Sequence, residues 1–177
     1  MVSEAASVGD GEAMRRYIQG AMRFSLLVLL SIAAPVSGGA EGVMHLVYPS
    51  AYHAGSIALS VLAAGMVCFA LFVIAATIMS GAGRPGLAAA VAVSACAVVI
   101  GANLAFVRSS SLGDGALLAA ASATSLGTTL ALAVMGTAVK LRFGAFIPLE
   151  SELRALVAAA AAFAVARALP AISKLGS

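Results

Sequence analysis

Residues 56–80 read "SIALSVLAAGMVCFALFVIAATIMS" and carry no charge. A run of this length is far beyond the strand mode of about 5 or 6 residues, and it matches the roughly 20 helical residues needed to cross a hydrocarbon core of about 30 Å. Such a segment needs an apolar phase around it and an internal partner for every backbone polar group, which a helix supplies. The rest of the chain repeats the pattern. Apolar residues make up 62% and charged residues 10% of the 177 residues, where soluble domains average about 45–50% and about 25%. The mean hydropathy is +1.08. Too few charges remain to clothe a water-soluble surface, so the sequence implies an all-α integral membrane bundle.

Charges punctuate the chain into about five spans. Residues 24–40 form a short first span with Pro35, residues 56–80 the second, 87–107 the third and 116–139 the fourth. A fifth, over about 153–169, holds "ALVAAAAAFAVA" between Arg154 and Arg167, which can snorkel to the two interfaces. The domain reading is thus a polar segment over 1–23, helical from about Gly11, followed by a helical bundle over 24–173. "SGGA" after the first span offers a cleavage point for a signal peptide, but the long n-region with its three acids argues against one.

Orientation follows from the basic residues. With the N-terminus inside, Arg15, Arg16, Arg23, Arg84, Lys140, Arg142 and Arg154 are cytoplasmic, while Arg108, Arg167 and Lys174 are outside. This is the positive-inside bias, and it explains the pI of about 9.2 without nucleic acid. The loop "EGVMHLVYPSAYHAGS" has no Lys or Arg and is expected outside, with Tyr48 and Tyr52 at headgroup level. The expected location is a membrane crossed several times, with the N-terminus cytoplasmic.

"GAGRPG" at 81–86 has the spacing of a dinucleotide-binding loop. That mechanism requires a short buried strand before it and an acid about 20 residues later. The next acid is Asp114, and Pro85 removes an N–H donor from the would-be cradle. The segment suits a hairpin turn better, with glycine closing one helix, Pro85 opening the next and Arg84 anchoring the interface.

No constellation points to catalysis, and no cofactor is implied. Cys68 and Cys96 lie in apolar runs and read as small buried hydrophobes. His45 and His53 share the outer loop with Glu41, which falls short of a metal-ligand pattern. Glu150 and Glu152 in "PLESELR" suit a helix start, where negative charge is favourable.

The fourth span holds Gly115, Ala119, Ala123, Gly127 and Ala131 at four-residue intervals, beside a row of Ala116, Ala120, Thr124 and Thr128. Small faces of this kind let helices approach closely in lipid, either as ordinary packing or as a moving contact between two halves of a transporter. Asn103 is the one strong amide within a span and is expected to face protein or water.

Several stretches resemble the C-terminal lobe of bacterial polysaccharide flippases of the multidrug, oligosaccharidyl-lipid and polysaccharide exporter superfamily. "VSEAASVGDGEAMRRYIQGAMRFSLLVLLSIAAPVS" is similar to the family's cytoplasmic approach and following helix, and "VMHLVYPSAYHAGSIALSVLA" to its external turn. "IMSGAGRPGLAA" resembles its short cytoplasmic turn, and "GDGALLAAASATSLGTTLAL" its Gly- and Ala-rich helix start, without matching that pattern at every position. The resemblance implies translocation of a lipid-linked saccharide by alternating access between two lobes. Cationic and polar cavity residues of the family would then correspond to Arg23, Arg84 and Asn103. Family members carry many more spans, so the resemblance further implies a fragment or truncated frame that works with a missing N-terminal lobe. The competing expectation is an autonomous membrane scaffold that assembles other helices through its small-residue face.

Overall fold

The computed structural model describes residues 11–109, 114–144 and 157–167. Among the described residues the chain is helical, with no strand. The elements are α1 (Gly11–Gly38), α2 (Ala40–Val47), a 3₁₀ turn (Ser50–Gly55), α3 (Ser56–Gly81), α4 (Pro85–Ser109) and α5 (Asp114–Phe143). A shorter apolar helix, α6, spans Val157–Arg167. Four of these helices, α1, α3, α4 and α5, are long and apolar enough to cross a membrane, so the architecture is that of a multi-pass helical membrane protein.

The polar segment and the first expected span form one unbroken helix. Met14, Ile18, Met22 and Leu26 recur every four residues, and all are buried. This stripe draws the charged half of α1 into the bundle while Arg15, Arg16 and Arg23 stay exposed. Helix α1 continues through Pro35 and ends at Gly38, and α2 follows after the single residue Gly39, whose N–H bonds to the Pro35 carbonyl at 2.8 Å. At Gly38 a β-carbon would stand 2.6 Å from the Phe163 carbonyl oxygen, which marks where α6 lies across α1. The fifth span expected over 153–169 is described only at 157–167.

Helices α3 and α5 form the centre and run parallel, since Ser125 donates to the Val61 carbonyl at 3.1 Å and Thr128 to the Gly65 carbonyl at 3.2 Å. Helix α4 returns between them in sequence, antiparallel to both. Helix α1 covers one flank of α3, and α4 covers α5 together with part of α3. The contacts rest on missing side chains. A β-carbon on Gly65 would overlap the Ser125 hydroxyl, and one on Gly127 would overlap Val99. Small residues replace the hydrophobic driving force that lipid does not provide.

The core lies at one end. Met14, Ile18 and Met22 of α1 meet Leu71, Phe72, Ala75, Ile78 and Met79 of α3 and Met135 and Val139 of α5. Many exposed hydroxyls elsewhere bond back to their own helix. Ser31 donates to the Leu27 carbonyl at 2.8 Å, Thr77 to Val73 at 2.8 Å, Thr129 to Ser125 at 2.7 Å and Thr137 to Ala133 at 2.7 Å.

The α3–α4 turn resolves the glycine motif of residues 81–86. Gly83 sits at φ +81°, its N–H bonds to the Ser80 carbonyl at 3.0 Å, and the Arg84 N–H reaches the Met79 carbonyl at 3.2 Å. These are the two bonds of a Schellman cap, with Pro85 in the first turn of α4. Gly83 alone needs the left-handed conformation, because Gly86 has open space and no positive φ. Gly83→Ala is therefore expected to destabilise the bundle by about 1 kcal/mol, and Gly86→Ala to leave it unchanged or slightly firmer. Equilibrium unfolding in mixed micelles checks the pair.

Candidate functional site

The half of the bundle opposite the core is open. There the N-terminal ends of α3 and α5 part, and a cleft of about 520 Å³ lies between them under α2 and the 3₁₀ turn. Ala58, Leu59 and Leu62 of α3 form one wall, and Leu117, Ala120, Ala121 and Thr124 of α5 the other. Met44, Tyr48, Tyr52 and Gly55 close the top. Small residues make the space, since Ala58, Ala120 and Ala121 stand where larger side chains would fill it.

The segment expected to be a plain external loop is a structured cap. Ala40 and Met44, four apart, are buried on one side of α2, which seats this short helix on the bundle. The α2 helix ends when Tyr48 turns to extended backbone at φ −120° and ψ 149°. Pro49 then leads into the 3₁₀ turn, whose Tyr52 N–H bonds to the Pro49 carbonyl at 3.0 Å. Tyr48 and Tyr52 come together with ring centroids 6.1 Å apart. His45 and His53 do the same at 3.7 Å, with the rings tilted by 50°. A second, more polar hollow of about 230 Å³ lies nearby, where Ser37, Ser60, Glu41 and Arg167 face a common space. The Ser37 hydroxyl donates to the Ser60 carbonyl at 2.9 Å, and the two hydroxyls are 3.0 Å apart.

Asn103 is at the cleft's edge. Its side-chain amide donates to the Val99 carbonyl at 2.9 Å and to the Thr124 hydroxyl at 3.2 Å, and Thr124 is part of the cleft wall. This contact ties α4 to α5 and fixes a polar point beside an apolar space. Arg23 and Arg84 are elsewhere. Both are exposed, Arg23 next to core residue Met22 and Arg84 in the α3–α4 turn, at the closed end of the bundle. The structure therefore does not gather Arg23, Arg84 and Asn103 into one site.

The small-residue row has mixed placement. Ala123 is fully buried and Gly127 lies against Val99 of α4, so these two serve packing within the chain. Ala119 is half-buried and Gly115 exposed. In the adjoining row, Ala120 and Thr124 face the cleft, and Thr128 bonds to α3. Cys68 is half-buried, Cys96 is exposed, and the two are free thiols. Cys96 thus departs from the expected buried hydrophobe, because α4 offers its partners only a narrow side and keeps none of its membrane-length window buried. Among the described residues no three His, Cys, Asp or Glu side chains converge on a metal position. Glu150 and Glu152 lie outside the described residues.

The cleft and its cap escaped sequence reading, although the spacing Ala40, Met44, Tyr48 carries a helical period. Asn103→Leu should cost about 1 kcal/mol of stability, and a double-mutant cycle with Thr124→Val should give a coupling of about 0.6 kcal/mol, the usual size for a hydrogen bond between membrane helices. Unfolding in bicelles measures both. Compared with protein-family models, curated proteins and solved structures, the chain matches none.

Proposed function

We propose that this chain is part of a bacterial inner-membrane transporter that moves a lipid-linked saccharide from the inner to the outer leaflet, together with a partner lobe or other membrane helices. The observation that carries the reading is the asymmetry of the central pair. Helices α3 and α5 are sealed at one end by Leu71, Ile78, Met79 and Met135, and stand apart at the other around the cleft. A bundle packed at one end and hollow beneath a cap at the other is compatible with one state of an alternating-access cycle.

With the N-terminus cytoplasmic, as the basic residues favour, the sealed end is inside and the capped cleft faces out. Arg23 and Arg84 then offer positive charge where an anionic pyrophosphate would be met on the inner leaflet, and they anchor that interface as well. Thr124, held by Asn103, and the tyrosine pair offer hydrogen bonds to a saccharide along an otherwise apolar path. The four stretches that resemble polysaccharide flippases support the same reading. An autonomous scaffold would display its small residues outward, whereas Ala123 and Gly127 are used against the chain's own helices and only Gly115 of that row is exposed.

The test is depletion of the protein in its native host. Lipid-linked saccharide is expected to accumulate in the inner leaflet, unreachable by an external saccharide-binding probe in intact cells, while surface polysaccharide falls. Restoring the chain should reverse both effects, and restoring it as Ala120→Trp, which fills the cleft, should not. Unchanged surface polysaccharide and unchanged lipid intermediates after depletion would overturn the reading.

A further inference from the structure

The polar hollow of about 230 Å³ is separate from the cleft. Ser56 and Ser60 turn to it, whereas Leu59 and Leu62 turn to the cleft, so the two spaces lie on different sides of α3. Ser37 near the end of α1, Glu41 and Gly42 at the start of α2, and Arg167 at the end of α6 complete its walls. The ends of three apolar helices therefore meet here, which sets the hollow at the depth of the lipid headgroups whichever way the chain is inserted.

The hollow holds one charge of each sign. Glu41 and Arg167 are both exposed, and among the described residues no ion pair joins them. We infer that the hollow binds a phosphoethanolamine group, a phosphate ester joined through two carbons to a primary ammonium, with Arg167 on the phosphate and Glu41 on the ammonium. The inference concerns the hollow alone and does not depend on what passes through the cleft.

Size and chemistry agree. The volume is below the roughly 300–1,000 Å³ of pockets for drug-sized ligands, so it suits a headgroup better than a whole solute. A guanidinium matches two phosphate oxygens at once. The first-turn N–H groups of Glu41 and Gly42 have no side-chain cap, and Gly42 has open space where a β-carbon would stand, so phosphate can come close to them. The Ser37 hydroxyl already donates to the Ser60 carbonyl at 2.9 Å, which leaves the Ser60 hydroxyl to turn its proton to a phosphate oxygen.

The same groups discriminate between headgroups. A phosphoglycerol head has no positive charge to meet Glu41 and brings its own negative charge towards it. A choline head has no N–H to donate, and among the described residues no aromatic ring lines the hollow to receive a quaternary ammonium. A primary ammonium makes charge-assisted hydrogen bonds to Glu41 that neither rival can replace.

The full chain is reconstituted in nanodiscs of phosphatidylethanolamine, phosphatidylglycerol and phosphatidylcholine in equal parts, released into mild detergent, and read by native mass spectrometry for retained lipid. Phosphatidylethanolamine should be retained about tenfold over either rival. Glu41→Gln should bring it level with phosphatidylcholine. Arg167→Gln should lower retention of all three lipids, and Arg167→Lys should recover part of it. If a variant loses its helical circular dichroism, the unaltered chain in phosphatidylcholine nanodiscs carries the test, and phosphatidylethanolamine should raise its unfolding temperature where phosphatidylglycerol does not. Soluble phosphoethanolamine in the same nanodiscs separates the sources. A rise with the soluble ester and no preference among lipids assigns the site to a free solute of this chemistry, and a lipid preference without that rise assigns it to the bilayer. Equal retention of the three lipids with no response to the soluble ester, or a preference that survives both Glu41→Gln and Arg167→Gln, overturns the assignment.

Discussion

The closest contact in this bundle is made by atoms that are not there. At Gly65 the backbone of α3 leaves no room for a β-carbon beside Ser125, and at Gly127 the backbone of α5 does the same beside Val99. In lipid, helices gain little from hiding apolar surface from one another, so close approach and a few hydrogen bonds must hold them. Ser125 and Thr128 supply those bonds by reaching carbonyls on α3. This crossing fixes α3 and α5 as a parallel pair. It divides the bundle, with large side chains packed on one side of it and the cleft on the other.

The membrane spans were legible because desolvation of a charge is costly over a length of about 20 residues, and that cost marks the sequence directly. The turn at residues 81–86 was legible from its Gly-Arg-Pro after an apolar run, and its geometry is that of a helix cap. Other features depend on where helices meet. The stripe of Met14, Ile18, Met22 and Leu26 has a helical period, yet the arginines between its members made the segment read as a polar approach. Asn103 is expected from sequence to face protein or water, and its amide bonds to Thr124 of α5. The resemblance puts Arg23 and Arg84 with Asn103 on a substrate path, whereas the fold puts both arginines at the opposite end from the cleft. The cleft itself is set by the divergence of two helices, a quantity no local spacing encodes.

The cap gives the open end a different character from the sealed one. The sealed end has long, interlocked apolar side chains, with Met22, Met79 and Met135 fully buried. The open end has a helix of two turns, a 3₁₀ turn and two pairs of rings, with its apolar anchoring drawn mainly from Ala40 and Met44. Fewer buried contacts mean a smaller free energy for local opening. Local opening is thus easiest around α2 and most costly at the methionine-rich end.

The serines and threonines that bond to carbonyls of their own helix bear on how such chains should be scored. Ser31, Thr77, Thr129 and Thr137 are exposed, and each donates its proton to a carbonyl one turn earlier. A hydroxyl occupied in this way presents mainly carbon to the acyl chains around it. Transfer scales that treat every hydroxyl as needing water therefore overstate the polarity of these surfaces, and a wettable route through the bilayer cannot be traced by following Ser and Thr alone.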